Sequence, residues 1–82
     1  MNQVTALFFA NLRDLMGVKS VELQIPLETN VADLKMLLIE KYPALAGLMN
    51  HALVSMNHEY VFDETIILES AEIALFPPVS GG

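Results

Sequence analysis

The sequence closes on two glycines, Gly81 and Gly82, after the stretch Phe-Pro-Pro-Val-Ser at residues 76 to 80. Glycine has no Cβ, so such a pair fits a channel too narrow for side chains and leaves the Gly82 carboxylate open to attack from either face. A carboxylate is a poor acyl donor until it carries a good leaving group. Joined to AMP from ATP it becomes a mixed anhydride, which a sulfur nucleophile can displace to leave a thiocarboxylate. That group is a stronger acid than a thiol and is ionised near neutral pH, and the anion is the nucleophilic form of sulfur. Pro77 and Pro78 favour polyproline II, so at ~3.1 Å per residue the segment from Pro77 to Gly82 is expected to project about 15–20 Å from the last strand. The residue types suit a reactive carboxyl group presented on a stiff, slender stalk.

The remaining polar residues offer no competing chemistry. The chain has no Cys, which excludes disulfides, thiolate metal sites and cysteine nucleophiles. His51 and His58 have no second ligand at a metal-binding spacing, so no metal is expected. Asp63, Glu64, Glu69 and Glu72 read as solvated charge among ten acids. Ser55 and Ser80 lack a triad context, and no glycine-rich phosphate loop is present, so the chain is not expected to bind ATP or another cofactor itself. Arg13, Lys19, Lys35 and Lys41 are too scattered to form a basic patch. Four basic against ten acidic residues give a net charge of -6, which repels a nucleic-acid backbone. No apolar run approaches the ~18 residues of a membrane span, and no signal peptide is visible, so a soluble cytoplasmic protein is expected.

The elements that must carry the stalk follow from periodicity. Val4 to Ala10 is rich in strand formers, with Val4, Ala6 and Phe8 on one face and Thr5, Leu7 and Phe9 on the other. Asn11 is placed to cap one or two helical turns that Gly17 ends in a left-handed conformation. Ser20 to Ile25 alternates as a half-buried antiparallel strand that Pro26 stops. Thr29 or Asn30 caps the main helix, whose stripe is Val31, Leu34, Leu38 and Tyr42, and Pro43 closes it. Residues 43 to 50 read as a loop with one short turn. Ala52 to Met56 is a third strand, Asn57-His58 a two-residue hairpin turn and Tyr60 to Phe62 the return strand. Glu72 to Phe76 is the last strand, with Ile73 and Leu75 facing inward.

Two strands, a helix and two or three further strands specify an α+β domain with one main helix across a mixed sheet, the β-grasp or ubiquitin-like arrangement. Residues 1–76 form the domain and 77–82 the extended C-terminal tail. The alternation that buries Phe8 and Leu75 leaves Phe9 and Phe76 on the opposite face, where exposed aromatics suggest a docking surface.

Three stretches, LFFANLRDLMG, TNVADLKMLLIEKYP and EIALFPPVSGG, resemble the small-subunit family of molybdopterin synthase across nearly the whole chain. The resemblance implies that Gly82 is adenylated with ATP by an activating enzyme and receives sulfur from a sulfur-donating system as a thiocarboxylate. It implies insertion of the tail, Pro77, Pro78, Val79, Ser80 and Gly81, into the large catalytic subunit of a heterotetramer. There sulfur passes to cyclic pyranopterin monophosphate to build the molybdopterin dithiolene. Phe9, Tyr60 and Phe76 match the family's apolar docking surface, Tyr60 by its place after the hairpin turn. The chain would not be catalytic alone. A sulfur carrier for thiamine or tRNA thiolation, and a β-grasp interaction module with an inert tail, are the alternatives. Two turns depart from the family pattern: Ser70-Ala71-Glu72 replaces Gly-Asp-Glu, and the hairpin carries His58 after Asn57.

Overall fold

The computed structural model describes residues 1–78. Its elements are β1 (Asn2–Phe8), α1 (Ala10–Met16), β2 (Ser20–Ile25), α2 (Val31–Lys41), a 3-10 turn (Pro43–Leu45), α3 (Ala46–Met49), β3 (Leu53–Met56), β4 (Glu59–Val61) and β5 (Glu72–Phe76). The five strands form one sheet in the order β2-β1-β5-β3-β4. β5 lies parallel to β1, with Phe8 opposite Leu75, and every other pair is antiparallel. The sheet is therefore mixed and α2 lies across it, as the order of elements predicts.

Alternation decides which face is covered. Val4, Ala6, Phe8, Leu23, Ile25, Val54, Ile73 and Leu75 are buried together with Val31, Leu34 and Leu38 of α2. Asn30 caps α2 by accepting a hydrogen bond from the Asp33 N–H at 2.8 Å. The Thr29 hydroxyl instead donates to the Pro26 carbonyl at 2.6 Å, closing the turn between β2 and α2. The first two backbone donors of α2 are satisfied from outside the helix: Val31 N–H donates to the Thr65 carbonyl and Ala32 N–H to the Asp63 carbonyl, both at 3.0 Å. Helix starts leave such groups without intrahelical partners, so the 62–67 segment completes the cap.

Several expectations need correction. β1 ends at Phe8, because the chain turns sharply at Ala10, φ 50, into α1. The cap of α1 is Phe9, with no side-chain bond, so Asn11 does not serve. Residues 43–49 are helical, because Leu45 and Met49 are buried and two short helical pieces present both inward. β4 is shifted one residue earlier than expected, since Val61 takes the inward position opposite Val54 and leaves Phe62 beyond the ladder. Asp63 has the exposure expected of a surface carboxylate, 59% of its side chain, but it also pairs with a buried lysine. Lys35 is 8% exposed, and its Nζ donates to Asp63 Oδ1 at 3.0 Å.

Candidate functional site

The C-terminal residues are carried by β5, the central strand between β1 and β3. Phe76 is half-buried on the sheet face opposite α2 and is followed by half-buried Pro77 and Pro78. Proline has no N–H to donate to a ladder, which fits the end of pairing at Phe76. The predicted site residues Val79, Ser80, Gly81 and Gly82 lie outside the described residues.

The parallel register of β1 and β5 brings Phe9 to Phe76. Phe9 N–H donates to the Leu75 carbonyl at 3.2 Å, extending the ladder one step past β1. Phe9 stays extended, at φ −122 and ψ 153, while its carbonyl accepts from Leu12 at 3.1 Å and Arg13 at 3.4 Å to open α1. Its backbone is thereby fixed on both sides, and its ring is left 40% exposed. The Phe9 and Phe76 rings stack with centroids 4.7 Å apart and planes 15° from parallel. Offset aromatic pairs at this separation add about 0.5–1.5 kcal/mol beyond their buried area, so the pair rigidifies the point where the tail leaves the sheet.

Tyr60 joins the same face through β3. Ser55 pairs with Tyr60 on one side and Ala74 on the other, and Leu53 pairs with Phe76. The Tyr60 ring is 71% exposed and lies 6.3 Å from Phe76, tilted by 50°. All three aromatics expected from sequence thus share one face, and two further residues extend it. Leu53 is the exposed cross-strand partner of Phe76, and Phe62 is 74% exposed just past β4. Together with Tyr60 they border a groove of about 570 Å³ whose lining also includes Glu64 and the Lys35–Asp63 pair. Leu53 was detectable in the Ala52–Met56 alternation, which places it opposite the inward Val54. Phe62 was hidden because β4 was expected one residue later, at Tyr60 to Phe62, where the ladder would pair it.

Asn57 and His58 both adopt positive φ, 51 and 75, the type I′ geometry that matches strand twist in a two-residue hairpin. Asn57 ties this turn to β5 twice: its N–H donates to the Glu72 carbonyl and its Oδ1 accepts from the Glu72 N–H, both at 2.9 Å. His58 Nε2 lies 3.8 Å from a Glu72 carboxylate oxygen at the surface. Among the described residues no three His, Cys, Asp or Glu side chains converge as a metal site. None of the described helices is long and apolar enough to cross a membrane.

The ThiS family model matches residues 6–82. The chain belongs to the ThiS family. Among its ThiS-family relatives, the molybdopterin synthase sulfur carrier subunit of Homo sapiens is 34% identical over 83 residues, covering 98% of this chain and 94% of that protein. The small archaeal modifier protein 1 of Methanosarcina acetivorans superimposes with a TM-score of 0.80 at 30% identity, covering 100% of this chain and 98% of that one. A complex of subunits 1 and 2 of the molybdopterin-converting factor from Helicobacter pylori contains a chain of the same fold, with a TM-score of 0.69 at 18% identity over 98% of this chain and 99% of that one. These are ubiquitin-like folds, and the β-grasp expected from the order of elements is the architecture that this ThiS-family chain adopts.

Proposed function

We propose that the chain is the sulfur carrier subunit of a molybdopterin synthase, with its chemistry confined to the Gly82 carboxyl group. An activating enzyme joins that carboxylate to AMP, releasing pyrophosphate from ATP. A sulfur-donating system then displaces AMP and leaves a thiocarboxylate. In the active site of the large subunit the thiocarboxylate sulfur displaces an oxygen substituent from a carbon of cyclic pyranopterin monophosphate, that C–O bond breaking as the carbon–sulfur bond forms, and water attacking the acyl carbon releases the sulfur and restores the Gly82 carboxylate. Two such deliveries complete one dithiolene, so each cycle consumes two charged carriers, and the complex is a heterotetramer of two small and two large subunits.

The observation that carries the reading is the stacked Phe9–Phe76 pair directly before Pro77, with Tyr60 beside it, in a ThiS-family chain ending Pro-Pro-Val-Ser-Gly-Gly. An apolar aromatic face next to the tail gives a partner a surface to grip while it engages the last residues. The names of the relatives, a carrier subunit and a two-subunit converting factor, support a large-subunit partner.

Reconstitution tests this reading. The chain is incubated with an activating enzyme, ATP and a sulfur source, and the mass of its C-terminal peptide is read. The expected product is heavier by the difference between sulfur and oxygen and donates its sulfur when the large subunit and the pterin are added. An unchanged mass at Gly82 under sulfur-replete conditions would refute the carrier role. A second reading, protein modification, is favoured by the likeness to a small archaeal modifier protein. It predicts Gly82 in amide linkage to a target lysine, which the same mass analysis of cell-derived protein reveals.

A further inference from the structure

At the end of the sheet away from Phe76, β2 finishes at Ile25 opposite Asn2, and the chain crosses to α2 through residues 26–30. This crossing and the outer face of α2 enclose a groove of about 440 Å³. Its apolar lining is Leu27, Met36 and Leu37, and its rim is Glu28, Asp33 and Glu40. Leu27 is 66% exposed and Met36 64%, so two large apolar side chains stand in water beside three carboxylates. No basic residue lines the groove. The four basic side chains of the chain are placed elsewhere: Arg13 and Lys19 beside Gly17, Lys35 on Asp63, and Lys41 in the last turn of α2 outside the lining. Apolar surface framed by charge of one sign matches a partner of the opposite sign whose apolar side chains can fill it.

We propose that this groove is a second docking site, for a basic amphipathic segment of a partner protein. Its apolar side chains would pack between Leu27 and Met36, and its Lys or Arg side chains would reach Glu28, Asp33 and Glu40. The groove lies on the α2 side of the sheet and the Phe9–Phe76 pair on the other face, so a protein held here leaves the tail-side face free for a second protein. A partner could thus keep the carrier in place while Gly82 is loaded or unloaded.

Titration of the full isotope-labelled chain with a synthetic leucine–lysine amphipathic peptide, followed by amide NMR, tests the site. The expected shifts concentrate on Leu27, Glu28, Met36 and Glu40. Leu27→Asp and Met36→Asp, both at exposed positions, each weaken binding about tenfold or more. Shifts centred on Phe9, Tyr60 and Phe76 overturn the proposal, as does equal binding by oligolysine, which lacks apolar side chains. It is also overturned if the groove resonances move with the chain's own concentration, because the occupant is then a second copy. The mass of Gly82 in the reconstituted system is read on the unsubstituted chain without the peptide, so failure of peptide binding here is distinguishable from failure of the carrier reading, on which the proposed role of the site rests.

Discussion

Ser70 has φ 56, a left-handed conformation that costs a residue with a Cβ and costs glycine nothing. The turn persists because Asn2 holds it from both sides: its Oδ1 accepts from the Ser70 N–H at 2.8 Å and its Nδ2 donates to the Leu68 carbonyl at 3.0 Å. The departure from the family's glycine at this turn was visible in the sequence, but the side-chain clamp from 68 residues away was not. Ser70→Gly is expected to stabilise the fold by about 0.5–1 kcal/mol, read as a rise in the chemical denaturation midpoint. Lys35 carries the opposite risk. Its ammonium is buried and satisfied by Asp63, whose carboxylate is largely exposed. Removing the partner leaves a buried charge without its acceptor, so Asp63→Ala should cost about 1–2 kcal/mol, whereas the mirror change Lys35→Met should cost less. Equal losses in the two denaturation curves would contradict this. Sequence reading took Asp63 for solvated charge and Lys35 as one of four scattered basic residues; their pairing went unseen because two residues 28 apart that meet only in the fold leave no periodic signal.

The elements whose positions sequence conveyed well are those with a clean period. β2 and β5 fall on their expected bounds because alternation and a following proline define each end. The stripe on α2 and the Gly17 stop have the same origin. The less legible elements are those set by tertiary packing: the helical pieces at residues 43–49, where burial of Leu45 and Met49 outweighs weak local preference, and the turn at Ala10. That turn matters for the site, since it ends β1 before Phe9 and still leaves the ring on Phe76. The aromatic row spans β1, β5 and β4, so its integrity depends on the sheet and its removal does not threaten the core, which faces the other way. Phe76→Ala is expected to lower stability by about 1 kcal/mol through loss of the stack. The same change should weaken binding to the large subunit about tenfold or more by titration calorimetry. Leu53→Asp and Phe62→Ser should weaken binding in the same assay with smaller changes in stability. If these three variants bind as tightly as the parent chain, the aromatic face is not the docking surface.

Across the molecule, the core of the described residues runs from Val4 to Leu75. Stability and the proposed chemistry are assigned to different parts of the chain, the first to the packed layers of sheet and helix and the second to the carboxyl group of Gly82. Under the proposed function, the net charge of -6 would add long-range attraction toward partners that hold ATP or a phosphorylated pterin with basic residues, a contribution that weakens as salt screens it. From this separation follows a paired prediction. Deleting Gly82, or appending one residue after it, is expected to leave far-UV circular dichroism and the thermal midpoint unchanged, because every core residue from Val4 to Leu75 is kept. Both changes abolish sulfur transfer, because adenylation needs a free carboxyl group at that position and the narrow glycine pair to deliver it. An extended chain that still transfers sulfur without being trimmed would place the reacting atom somewhere other than Gly82.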